Sequence, residues 1–447
     1  MTQIQPPQET ATPQETATPQ ENLPPRHATS PGSAGKVTGG PSMGRLVGVD
    51  LARALAVFGM YIVHIGPPLS ATDGVGRWVR FLADGHSSVL FATLAGFSLM
   101  LIAGRREPKT GLAGRQAKAR IAIRAVVLLV LGSVLAMEYG DVIILGFYGV
   151  YFLLALPLLR LSARTLAVIA AGLALVTPQL AFVLKTWLSG SVLQTVNAYD
   201  PLEKLNDVGV VDLLLTGLYP TITWMPFVIA GMALARLDLS AVSVQRRLAT
   251  LGAALTVAAY GLSLLLAGKD AAFGGIGGSS SGSGSWSGGS GSWSGGSGSW
   301  SGGSGPSGGS GAGSGGSGGG EQLVSSASDL LGAGPHTGTT FDILGSVGVA
   351  ILVIVGATVL MDRLARLRRL AKPVIAVGTM SLTAYVGHFL AQSAWPASGA
   401  GTTKSWVPVL LYILGAIVFA AIWSRFFRRG PLEYLLNTTT KPAKYIR

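Results

Sequence analysis

Cysteine is missing from all 447 residues, so the chain can hold no disulfide, no thiolate metal site and no cysteine nucleophile. Charge is scarce too: 12% of residues are Asp, Glu, Lys or Arg, against 49% hydrophobic, and the mean hydropathy is +0.50. A chain so poor in charge cannot clothe a soluble globule, which leaves lipid as its solvent. It has no Gly-rich phosphate loop and no His-Glu-x-x-His pair, and no metal site is expected. The first 45 residues hold no basic-then-apolar run that would read as a signal peptide.

What the chain has instead is a series of apolar segments, each near the roughly 20 residues that cross a bilayer as a helix. They run Leu46 to Gly66, His86 to Gly104, Ile121 to Met137, Val142 to Leu161, Thr165 to Leu184, Val211 to Ala235, Leu248 to Ala267, Ile343 to Met361, Val374 to Ala394 and Trp406 to Trp423. The expected fold is all-α, a polytopic membrane protein of about ten transmembrane helices. Five parts are expected: a disordered cytosolic arm (1–45), helices one to seven (46–267), an extracytoplasmic loop (268–341), helices eight to ten (342–425) and a basic cytosolic tail (426–447). The arm carries copies of Pro-Gln-Glu-Thr-Ala-Thr from Pro7 and Pro13.

A net charge of +13 would suggest nucleic acid in a soluble protein, so the place of each cation matters. With the N-terminus in the cytosol, only Arg77, Arg80, Lys185, Lys204, Lys269 and Lys404 fall outside, and Arg53 lies within the first span. The remaining cations are cytosolic, in clusters such as Arg105 to Arg124 and Arg363 to Lys372. This positive-inside pattern puts both termini in the cytosol and argues against nucleic acid as the partner, and the plasma membrane is the expected location.

The outer loop contains a Gly/Ser tract, Gly274 to Gly320, with Trp286, Trp293 and Trp300 seven residues apart. Runs of glycine oppose a coiled coil, so the tract reads as a flexible linker that is dispensable for folding. Prolines 157, 178, 220 and 226 are expected to kink their helices. Glycines 59, 96, 149, 231 and 387 are expected to serve close helix packing.

Ionisable groups in lipid cost roughly 2.5 to 3.5 kcal/mol each at a helix centre, so each needs a reason. The first span has Asp50, Arg53 and His64 on one face, since an eleven-residue step returns to within about 20°. Arg53 then lies roughly 16 Å below His64, toward the cytosol. Asp50 and Arg53 can pair at i, i+3, and they read equally well as a pair that only neutralises itself. In the ninth span Tyr385, His388 and Gln392 share a face, with His388 at the depth of His64. Taken alone, His388 reads as a satisfied bundle histidine. Asp84, His86, Glu138 and Asp141 lie at outer helix ends, where they could polarise a histidine or hold a sugar hydroxyl.

The segment Arg45 to Arg53 through His64, followed in order by Gly140 to Gly149, Tyr219 to Arg236 and Gly378 to His388, resembles the transmembrane acyltransferase superfamily. That group includes the acyltransferase-3 proteins and the heparan-alpha-glucosaminide N-acetyltransferase relatives, and the chain looks most like the YeiB-like branch formerly grouped as domain of unknown function 418. The similarity extends over most of Arg45 to Arg429, with the Gly/Ser tract as a departure. It implies an acyl-CoA donor from the cytosol and an outer acceptor, a glycan, lipid or cell-envelope component, with acetyl the expected group. It also implies that His64 takes part in acyl transfer and that Arg53 lies on the donor path. Arg105 and Arg106 are candidates for the CoA phosphates, although topological retention accounts for most of the basic loops. A homodimer is compatible with this reading. The rival is a transporter or flippase for a lipid-linked or small anionic solute, with Asp50, Arg53 and the two histidines as its relay. No clear internal repeat supports that rival.

Overall fold

In lipid the helix is the open-ended fold that satisfies its own backbone, and helices alone appear in the computed structural model among the residues it describes, 46–188, 190–273, 327–394 and 405–446. The N-terminal arm and the Gly/Ser tract with its three tryptophans lie outside the described residues. In chain order the helices are α1 (Val47–Ile65), α2 (Gly74–Ala83), α3 (His86–Ala103), α4 (Gly111–Tyr139), α5 (Ile144–Ala155), α6 (Ala163–Trp187), α7 (Gly190–Tyr199) and α8 (Glu203–Asn206). They continue as α9 (Thr221–Ala235), α10 (Val242–Phe273), α11 (Thr340–Arg363), α12 (Ala365–Leu370), α13 (Lys372–Thr379), α14 (Ser381–Ala394), α15 (Val407–Phe426) and α16 (Pro431–Thr439).

Seven described segments are long and apolar enough to span: α1, α2 with α3, α4, α6, α10, α11 and α15. The pair α13 and α14, bent by 87°, forms either a broken eighth span or a re-entrant loop. The fourth and sixth expected spans survive as the shorter apolar helices Ile144–Arg160 and Thr221–Ala235. The chain is therefore an all-α, multi-pass membrane protein, and each expected span has a helical counterpart.

Three departures from the expected spans have local causes. The sixth span is not continuous: a π turn, Asp212–Thr216, ends before Pro220, which has no N–H to continue a helix and sits as the cap of α9. The second begins at Gly74, because α2 runs into α3 through Gly85. Its exposed Val75, Trp78, Val79 and Leu82 fall at i, i+3, i+4 and i+7, an amphipathic signature present in the sequence. The ninth is broken at Met380, where the N-terminus of α14 receives a side chain from the far end of the chain. Leu382 and Thr383 donate their amides to Glu433 Oε1 at 2.8 and 3.2 Å, and the Thr383 hydroxyl donates to Oε2 at 2.5 Å. A carboxylate there satisfies the unpaired amides and the positive end of the helix dipole. As for the other prolines, Pro157 lies in the 3₁₀ turn ending α5, while Pro178 and Pro226 lie inside helices.

Burial places α3 and α1 at the centre: their apolar segments are 78% and 67% buried, against 11% for α15. Helix α1 packs on α3, α11 and α13. Small residues allow the close approaches. A Cβ on Gly378 would stand 1.7 Å from the Asp50 carbonyl oxygen of α1. Cβ atoms on Gly96 and Gly231 would meet the backbone of the facing helix across the α3–α9 contact at 1.9 and 1.8 Å. By contrast, nothing crowds Gly387.

Candidate active site

The end of α1 presents His64 to α14. Its Nδ1 lies 2.9 Å from His388 Nε2, and the two rings meet edge to edge, their planes 16° apart and their centroids 5.2 Å apart. His388 Nδ1 is bonded to the carbonyl of Tyr385, which can only accept, so Nδ1 carries the proton and donates. In neutral His388 the Nε2 then has only a lone pair, and His64 Nδ1 must donate to it. One carbonyl thus sets both tautomers, leaving His64 Nε2 as a lone pair. The pair is clamped from both sides. Phe389 packs on His64 and His388 at 5.2 and 4.0 Å, and the Tyr61 hydroxyl donates to the Ala384 carbonyl at 2.7 Å.

A cavity of about 20 Å³ opens beside this relay, lined by Met60, His64, Ser88, Tyr219, His336 and Tyr385 among others. That is room for about one water-sized group. Tyr385 braces its wall: its hydroxyl accepts from the Ile144 amide at 3.2 Å, capping the start of α5, and lies 3.5 Å from the Val142 carbonyl.

Lower on α1, Asp50 and Arg53 form the expected pair, Oδ1 to Nη1 at 2.7 Å, with Asp50 buried. Arg53 Nη2 also donates to Ser98 Oγ on α3 at 2.8 Å. Ser98 gave no signal in the sequence, being one of four hydroxyl residues in an apolar helix.

The other expected residues separate. His86 turns away from the cavity, with Nδ1 3.0 Å from the Asp84 carbonyl and Nε2 2.7 Å from the Tyr260 hydroxyl on α10. Asp141 sits in the turn before α5 and Gln392 one turn beyond His388, and neither lines the cavity. Arg105 is engaged by the carbonyls of Ala235 and Leu237 at 3.2 and 3.4 Å, and Arg106 by Asp238 at 2.7 Å. Hydrogen bonding from Ser240 holds the Asp238 carboxyl below its usual pKa, and Arg106 adds to this. These two arginines fasten the loop after α3 to the end of α9 and the turn that follows it.

The residue that sequence reasoning missed is His336, in the loop before α11. Its signal was its setting: a Gly-Pro-His-Thr-Gly turn directly before a helix capped by the Thr339 side chain. Burial pushes its imidazole below the usual pKa against the upward pull of Asp84, with Arg80 adding to the downward push. The ring is neutral near pH 7. Among the described residues no group of three or more His, Asp or Glu is placed to hold a metal ion.

Two family models match the chain. The one described as heparan-alpha-glucosaminide N-acetyltransferase, catalytic, covers residues 45–267, and the one described as protein of unknown function (DUF418) covers residues 323–442. The cavity is assembled from both matched regions, His64 and Tyr219 coming from the first and His336 and Tyr385 from the second, which also supplies His388 behind His64. No curated protein matches the chain.

Proposed function

Because the chain belongs to the transmembrane superfamily of heparan-alpha-glucosaminide N-acetyltransferase-like and YeiB-like proteins, we propose that it is a membrane acyltransferase with His64 as its reacting base. It takes an acyl group, acetyl by the description of the matching catalytic model, from cytosolic acyl-CoA. The acceptor is an extracytoplasmic hydroxyl or amine on a glycan or cell-envelope component, and the location is the plasma membrane. The observation that carries this reading is the relay from the Tyr385 carbonyl through His388 to His64, which leaves His64 Nε2 unprotonated.

His64 Nε2 takes the proton from the acceptor as the acceptor atom bonds to the thioester carbonyl carbon. The carbon–sulfur bond then breaks, and the proton passes from His64 to the departing sulfur. His388 exchanges no proton with the substrates; it holds the His64 ring and its tautomer. Arg53, about 16 Å nearer the cytosol, steadies the incoming donor arm, and Asp50 and Ser98 fix its guanidinium.

The test is sidedness. In proteoliposomes of known orientation, labelled acetyl-CoA supplied at the face bearing the Arg363 to Lys372 cluster should yield labelled acceptor on the opposite face when glucosamine is present there. Movement of a solute across the bilayer with no labelled product would replace this reading with the transporter.

A further inference from the structure

His336 lines the same cavity as His64, yet it is held very differently. Its Nδ1 is buried and has no hydrogen-bond partner, whereas both ring nitrogens of His86 and of His388 are bonded. A buried polar atom left unpaired is costly. The backbone adds to that cost, because His336 has φ +60°, a left-handed conformation uncommon outside glycine.

The surroundings over-determine this placement. The ring stacks on Trp224 at 5.9 Å and meets Tyr219 edge-on at 5.7 Å. The loop is tied by Thr337 Oγ1 donating to the Gly334 carbonyl at 2.9 Å and by the Gly338 amide donating to Asp342 Oδ2 at 3.1 Å. Its approach to α3 depends on Gly85, where a Cβ would stand 2.8 Å from Pro335. Packing alone would be served by an apolar or aromatic side chain with no unpaired nitrogen. Three features together, strain, rigidity and an unmatched polar atom on a ring that lines a cavity, describe a group held ready for a ligand.

Building on the acyltransferase reading, we propose that His336 is an acceptor-binding residue: its imidazole engages a hydroxyl adjacent to the group that attacks the thioester, so the acceptor is a molecule with neighbouring polar groups, such as a sugar or amino sugar. His64 Nε2 takes the proton of the attacking group, and His336 holds its neighbour. No proton is transferred to His336, and the products are the acylated acceptor and free CoA thiol. His336 lies on the loop at the outer end of the helices, the side from which the proposed acceptor arrives, and the donor path past Arg53 lies below.

The experiment compares two probe acceptors with the purified full chain and labelled acetyl-CoA. Glucosamine has hydroxyls beside its amine; propylamine has none. Wild type should prefer glucosamine. His336→Ala should lower kcat/KM for glucosamine about tenfold or more while leaving propylamine and the acetyl-CoA KM unchanged. His336→Asn, which tolerates positive φ and keeps a polar side chain, should recover part of the preference. Equal losses for both acceptors, or a wild type that binds acetyl-CoA but does not distinguish the probes, would overturn the acceptor-binding role and leave the acyltransferase reading standing. A wild type that neither binds nor cleaves acetyl-CoA would remove both.

Discussion

At the scale of single residues, the Asp50–Arg53 pair has two separable jobs. Removing one partner breaks a largely buried ion pair, which destabilises the fold. Arg53→Ala should therefore lower the melting temperature in detergent as well as donor affinity. The double variant Asp50→Asn, Arg53→Gln removes both charges together and should restore most of the melting temperature while donor affinity stays low. Recovery of both would mean that Arg53 serves packing alone. This pair was legible in the sequence because i, i+3 spacing on a helix fixes its geometry before any tertiary contact forms. Ser98 was not, since its role depends on which face of α3 meets α1. His336 was visible only as a residue in a turn, because what marks it, an unpaired nitrogen and positive φ, exists only in the folded chain.

Among elements, the break between α13 and α14 is the feature that aims His388. The apolar run from Val374 to Ala394 reads as one uninterrupted helix, and hydropathy alone carries no trace of an 87° bend. The cap that stabilises it, Glu433, lies about 50 residues further on, in a segment that reads as a basic tail. Sequence periodicity still placed Tyr385 and His388 on a common face, because both lie inside α14 and the bend precedes them. Glu433→Ala should cost about 0.5–2 kcal/mol of stability by uncapping α14. Because α14 carries His388, the same change should slow transfer with little effect on donor binding. An unaltered rate with lowered stability would detach the cap from the site.

For the whole molecule, the spans were readable because lipid demands long apolar helices, and their lateral order was not, because the bilayer rewards every apolar face alike. The orientation expected from the cations is directly testable in a chain without cysteine. Single cysteines at Tyr199 and Leu370, which are 82% and 78% exposed, should be labelled by an impermeant maleimide from the outer and the cytosolic side respectively. Labelling of both from one side would overturn the topology.

The account as a whole turns on whether His64 performs the transfer while the donor site lies elsewhere, and the measurement that reads this most directly pairs single-turnover acetyl transfer with equilibrium binding of a non-hydrolysable acetyl-CoA analogue. His64→Ala should lose about 10²–10⁴-fold in rate with binding nearly unchanged. His388→Ala should lose less, and His388→Gln, whose side-chain oxygen can accept from His64 Nδ1, should recover part of that loss. Transfer by His64→Ala at the wild-type rate would contradict the account.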